Sequence, residues 1–297
     1  MTSAKLGMPF VQCSRWLLCL LVVSSFTIVH PSFAQTGVSL RLVSEQIAIV
    51  PGKPFTVGLW LQHDRGYHTY WRVPGIVGVP TQMKWNLPRG WSAGELVYPE
   101  PERTLMFQIK AQGFDRDVML RAEITPPADL KPGDSITLSG TASWMACGRS
   151  CNPGSKELNL TLPVAETAGL NEKWHKLLDE ERARAELPSD AWSATASESE
   201  KTITIFLKPV SDKARLSKNQ GEADKIICFT EDGRFDTGKP QTIGRHDDGS
   251  LTITLTKPDA DPGDNAPKSL RVIVRNDSGW LKDGTLRSLQ IAPKSVR

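Results

Sequence analysis

The sequence has few cysteines and few aromatics, no excess of charge of one sign and, beyond its amino terminus, no long apolar run. Phe, Trp and Tyr make up 7% of 297 residues, against 21 Pro and 23 Gly. That balance suits many turns and short strands. The formal charge is only +3, from 36 basic and 33 acidic residues, and the basic side chains are scattered, which excludes the footprint of a nucleic-acid binder. With 39% hydrophobic and 23% charged residues, collagen-like, wholly disordered and polytopic membrane classes are excluded as well. No Gly-x-Ser-x-Gly elbow, phosphate loop or hydrolase-like His/Asp/Ser set occurs.

The one apolar run is Trp16–Val29, preceded by Lys5 and Arg15 and followed by Ser32-Phe33-Ala34. It is shorter than the roughly 18–20 residues a spanning helix needs, so residues 1–34 read as a signal peptide cleaved after Ala34. The remaining chain is expected to be periplasmic or otherwise exported, with no membrane insertion after cleavage. Losing the leader removes Cys13 and Cys19, and leaves 34 basic against 33 acidic residues. Cys147, Cys151 and Cys228 then sit in an oxidising compartment, where disulfides persist.

The length predicts two domains. From residue 38 apolar residues alternate with period two: Phe55, Val57, Leu59 and Leu61; Ile136, Leu138, Gly140, Ala142 and Trp144; Leu158, Leu160, Leu162 and Val164. Such segments are half-buried antiparallel strands. Pro51-Gly52, Pro88-Arg89-Gly90, Pro132-Gly133-Asp134 and Asn152-Pro153-Gly154 read as the turns between them. The pattern predicts an all-β, immunoglobulin-like sandwich over residues 35–166. Asn171 caps a helix with apolar positions Trp174, Leu177, Leu178 and Ala185, read as a connector over 167–190 docked between domains. Residues 191–297 form a second β-rich domain with strands near 202–207, 225–230, 250–256 and 269–274, after a polar loop at Ser189–Lys201.

Cys147-Gly-Arg-Ser-Cys151 lies between two of the predicted strands. A disulfide needs Cα atoms about 4.4–6.8 Å apart, whereas four extended steps span roughly 13 Å, so a bond here requires a bend that Gly148 permits. So short a loop makes a weak staple and a reasonable redox switch. Arg149 between the sulfurs favours thiolate if it turns toward them and has no such effect if it points to solvent. On spacing alone the pair is equally readable as a surface disulfide rigidifying a hairpin end. Cys228, in an apolar run, reads as an inert buried thiol. His63 and His68 fit no standard zinc spacing. Met83, Met106, Met119 and Met145 read as core filler, Tyr70 and Trp71 as core, with shielding of the disulfide or contact with a partner as the alternative, and Glu100 with Glu102 as an exposed turn rather than a glycosidase pair.

Several motifs in order carry a resemblance. Gly66-Tyr67-His68-Thr69-Tyr70-Trp71-Arg72-Val73-Pro74-Gly75, Gly78-Val79-Pro80-Thr81, Trp85-Asn86-Leu87-Pro88 and Trp144-Met145-Ala146-Cys147 through Cys151-Asn152-Pro153 resemble the amino-terminal periplasmic domain of DsbD and ScsB thiol:disulfide interchange proteins. Order and spacing are closer to the ScsB-like branch, strongly over 38–165 and loosely beyond. The resemblance implies an immunoglobulin-like domain without bound cofactor, whose Cys147 and Cys151 pass electrons between thioredoxin-fold partners. It further implies that Cys151, followed by x-Pro, forms the mixed disulfide and Cys147 resolves it. Two features depart from the family: three intervening residues where the enterobacterial DsbD branch has five, and a chain carrying neither the membrane nor the thioredoxin domain, so that its electrons are expected from a separate protein. The competing readings are a binding or adaptor sandwich with a structural disulfide, and a copper-handling protein using Cys147, Cys151 and His68.

Overall fold

Alternating burial turns most of the first half of the chain into strands. In the computed structural model, which describes residues 1–2, 37–184, 187–259 and 270–295, these are β1 (Val38–Ser44), β2 (Phe55–His63), β3 (Thr69–Tyr70), β4 (Gln82–Asn86), β5 (Ser92–Ala93), β6 (Glu102–Met106), β7 (Ile109–Phe114), β8 (Val118–Thr125), β9 (Ser135–Cys147) and β10 (Cys151–Pro163). The signal peptide with its cleavage after Ala34, and Ala185, lie outside the described residues.

Antiparallel sheets ordered β1-β2-β8-β5 and β10-β9-β4 face each other across one core. Leu40 and Leu42, the expected Phe55, Val57, Leu59 and Leu61, and Leu120 and Ile124 meet Leu138, Ala142, Trp144 and Leu158. Each of the Leu, Ile, Val and Phe side chains contributes about 1.5–3 kcal/mol when fully buried. This is the expected immunoglobulin-like sandwich. A third small sheet, β3-β7-β6, lies against it.

The turns at 51–52, 89–90 and 132–133 form as read. Asn152-Pro153-Gly154 is not a turn: all three residues lie inside β10, paired with Ala146, Met145 and Trp144. Two local facts explain it. Strand β10 is an edge strand, where proline's missing donor is tolerated. The Trp144 indole lies over residue 154, where an added Cβ would come within 2.4 Å of it.

Helix α1 (Glu172–Arg182) is capped by the Asn171 side chain, which accepts from the Trp174 N–H. Its stripe packs on the outer face of the first sheet rather than between domains. Leu178 buries against Val43 and Met119, and Trp174 and Leu177 pack beside Trp60. Gly58 leaves room there, since a Cβ would come within 2.4 Å of the Met119 sulfur.

After the helix come β11 (Trp192–Glu198), β12 (Thr202–Pro209), the one-turn α2 (Gln220–Ala223), β13 (Ile227–Thr230), β14 (Thr242–Arg245), β15 (Leu251–Thr256), β16 (Val272–Arg275), β17 (Ser288–Ile291) and β18 (Lys294–Ser295). A sheet ordered β14-β15-β12-β11-β18 packs on another ordered β13-β16-β17, around Ile203, Ile205, Leu207, Ile253, Val274 and Trp280. The polar stretch at 189–201, read as a loop, contains β11. Its pairing with β12 along the whole strand and the burial of Trp192 and Ala196 outweigh its weak alternation.

Gln35–Arg297 is one compact unit, and its two lobes share a buried junction. Phe229 and Ile273 of the second lobe belong to the first lobe's core. Glu100, read as part of an exposed turn, is only 2% exposed. It accepts a hydrogen bond from the Ser288 hydroxyl and lies 3.9 Å from the Arg184 guanidinium. The second lobe covers it, which its local sequence could not reveal. Among the described residues no helix is long and apolar enough to cross a membrane.

Candidate active site at the end of the β9–β10 hairpin

The register of β9 and β10 places Cys147 directly opposite Cys151, and the two form a disulfide with Cα atoms 4.1 Å apart. The bend is made by Gly148-Arg149-Ser150, with the Gly148 N–H donating to the Ser150 carbonyl at 3.0 Å. Glycine is needed at 148 because a Cβ would sit 2.8 Å from the Gly66 carbonyl oxygen. Arg149 is exposed at the tip, and no ion pair to it occurs among the described residues.

The two sulfur-bearing residues are held differently. Cys147 has a strand neighbour on both sides: Cys151 on one, and on the other His68, whose N–H and carbonyl both bond its backbone at 2.9 Å. It is 1% exposed. Cys151 opens the edge strand β10 and is half-buried. An incoming thiolate therefore finds Cys151 the more open sulfur, while a thiol at Cys147 sits in apolar surroundings that disfavour its ionised form.

The surroundings of Cys147 come from segments far apart in sequence. Tyr70 and Ala111 are buried with it, and Val77, Met106, Met145 and Cys151 pack around them. Tyr70 is fully buried beneath Gly78, whose φ of +97° and lack of a Cβ let the chain lie on the phenol ring. Burial pushes the Tyr70 hydroxyl up to about 12. Trp71, by contrast, belongs to the sandwich core, donating from its indole to the Pro99 carbonyl at 2.9 Å.

His63 and His68 are each engaged by neighbouring polar groups. His68 is buried, with Nε2 3.3 Å from the Tyr70 hydroxyl and Nδ1 4.0 Å from an Asp115 oxygen. Burial lowers its pKa. His63 bonds the Thr69 hydroxyl at 2.9 Å, and burial pushes it down to about 4. Among the described residues the one cluster of three carboxylate and imidazole groups spaced for an ion is Glu45, His175 and Asp179. The Arg182 guanidinium already occupies it, 2.6 Å from Glu45 and 2.7 Å from Asp179.

Met106 and Met145, read as core filler, line the disulfide instead. Period two gives a signal for Met145, which shares a strand face with Cys147. Met106, Ala111 and Val77 belong to no motif, and only the tertiary fold brings them here. Cys228 is fully buried, and desolvation pushes its thiol up to about 12. Glu102 is half-buried and pairs with Arg116 at 2.9 Å.

Residues 40–163 match the family described as thiol:disulfide interchange protein DsbD, N-terminal. No curated protein matches the chain. Among solved structures, the chain is similar to the N-terminal periplasmic domain of ScsB from Proteus mirabilis, at TM-score 0.61 and 18% identity, covering 87% of this chain and 94% of that one. That likeness establishes the fold. The periplasmic chaperone SfaE, at 9% identity, covers 88% of this chain and 100% of its own. A conserved domain protein from Bacillus anthracis, at 13%, covers 81% and 75%. Both have a TM-score of 0.23, too low to bear on the argument.

Proposed function

Proceeding from a DsbD-type amino-terminal domain over residues 40–163, we propose that this is an exported thiol–disulfide exchange protein whose Cys147–Cys151 bond passes electrons between thioredoxin-fold partners. The observation that carries the reading is the asymmetry of the pair: a buried Cys147 and a half-exposed Cys151 at the end of one hairpin. A structural staple needs no such difference. Exchange requires a sulfur within reach of a partner, and a shielded second sulfur directs the attack to it.

In the proposed reaction the thiolate of a reduced dithiol partner attacks the Cys151 sulfur. A mixed disulfide forms, and Cys147 leaves with the electron pair and takes up a proton. The partner's second thiol then attacks its own sulfur in that bond, freeing Cys151. The protein holds two thiols and the partner one disulfide. On an oxidised thioredoxin-fold acceptor the steps reverse: Cys151 attacks, and Cys147 resolves by re-forming the bond to Cys151. The leader at residues 1–34 would deliver the chain to the oxidising compartment where such partners work.

The test is trapping. Cys147→Ala is expected to accumulate a mixed disulfide through Cys151 with an oxidised thioredoxin-fold protein, while Cys151→Ala accumulates little. No adduct, under conditions in which a known reductase is trapped, would contradict the mechanism.

A further inference from the structure

The small β3-β7-β6 sheet is rooted in the first lobe through Phe114 of β7, which lies in the sandwich core, and beyond that root it has two attachments. On one side it supplies Tyr70, Ala111 and Met106 around Cys147. On the other it is tied to the second lobe. Gln112 of β7, between Ala111 and Gly113, is fully buried. Its side-chain amide bonds both backbone groups of Thr230 at the end of β13: Nε2 donates to the carbonyl at 3.0 Å and Oε1 accepts the N–H at 2.8 Å. The same Nε2 donates to the Val73 carbonyl. Arg72, two residues beyond Tyr70, lies 2.6 Å from Glu231, whose carboxylate is 5% exposed and also accepts from Gln290.

Away from that root the sheet is slight. Strand β3 has two residues, and the β6–β7 hairpin ends in Phe107 at φ +57°, with Leu105, Phe107 and Ile109 exposed. Isolated hairpins are marginal in water, so the order of this one over the disulfide must come from what it is fastened to. The fastening is specific. A glutamine amide that satisfies both groups of one distant peptide position fixes its own backbone in register and orientation, which apolar contact between lobes would not.

We propose that the second lobe is a brace: Gln112 and the Arg72–Glu231 pair are positioning residues that hold the β3-β7-β6 sheet against Cys147 and so set how readily the disulfide reacts. The inference rests on the exchange reading of the pair. It assigns residues 187–295 a part in that chemistry, although they contribute no atom to it.

Reduction by dithiothreitol tests the brace without any protein partner. In the full chain, Gln112→Leu and Glu231→Gln are each expected to speed reduction of Cys147–Cys151 by about tenfold, because the covering sheet opens more often. After reduction, alkylation of Cys147 should quicken while that of Cys151 stays as it was. Arg182→Gln, which removes the partner of Glu45 and touches neither Gln112 nor Glu231, is expected to lower Tm without altering either rate. Brace variants that lower Tm but reduce at the wild-type rate, or more slowly, would overturn the proposal. Glu231→Gln preserves side-chain shape, so it carries the test if Gln112→Leu fails to fold. Failure to trap a thioredoxin-fold partner would count against the exchange reading and leave the dithiothreitol result standing.

Discussion

At the scale of single residues, the difference between the two cysteines follows from where each meets its neighbours. Cys147 is a central-strand residue and Cys151 an edge-strand residue, directly opposite each other across a three-residue bend. The close approach of Trp144 to residue 154 belongs to the same hairpin. Gly154→Ala would drive a methyl group into the indole, and is expected to cost about 1–3 kcal/mol by overpacking, read as a lower urea midpoint. Cys228 makes the opposite point. With its thiol pushed up to about 12 in full burial, it should resist alkylation in the native protein, and Cys228→Ser should leave the redox behaviour of the other pair unchanged. Rapid labelling of Cys228 under native conditions would contradict its placement in the core.

Among the elements, α1 shows how charge complements packing. Hydrogen bonding from Arg182 holds the Glu45 carboxyl down to about 2, against an ordinary value near 4.5. Since the folded value lies below the unfolded one, this stabilisation is complete above about pH 4.5 and is lost as pH falls toward 2. Arg182→Gln is expected to cost about 1–2 kcal/mol at pH 7 and to flatten that part of the acid transition in urea unfolding followed by circular dichroism. The strands divide by legibility. Those with strong apolar alternation, such as β2 and β9, were readable because a sandwich core buries every second residue. Strand β11 was not, because Ser-Ala-Thr-Ala-Ser is held by pairing with β12 rather than by its own hydrophobicity. Pro153 and Gly154 misled for a related reason: residues that usually break a strand are tolerated on an edge and beneath an indole.

For the whole molecule, the cysteine pair and its motifs were legible, but its setting was not. Tyr70, Met106, Ala111 and Met145 converge only after the sandwich forms, Glu100 and Gln112 reveal their burial only when the second lobe covers them, and Glu231 only when it meets Arg72 of the first lobe. No local pattern marks a carboxylate that will be shielded by a strand almost two hundred residues later. Because Phe229 completes the first lobe's core, Phe229→Ala is expected to cost about 3–5 kcal/mol and to weaken both lobes, seen as a lower Tm for a single joint transition. Two separated transitions in the wild-type protein would contradict that coupling.

The central claim is that Cys147–Cys151 exchanges electrons, and the redox equilibrium of the purified protein in graded glutathione buffers, with thiols counted by alkylation and mass, tests it most directly. The predicted midpoint lies above about −300 mV, among the exchange proteins; a pair that stays oxidised in buffers poised below about −300 mV would be a structural disulfide and would contradict the account.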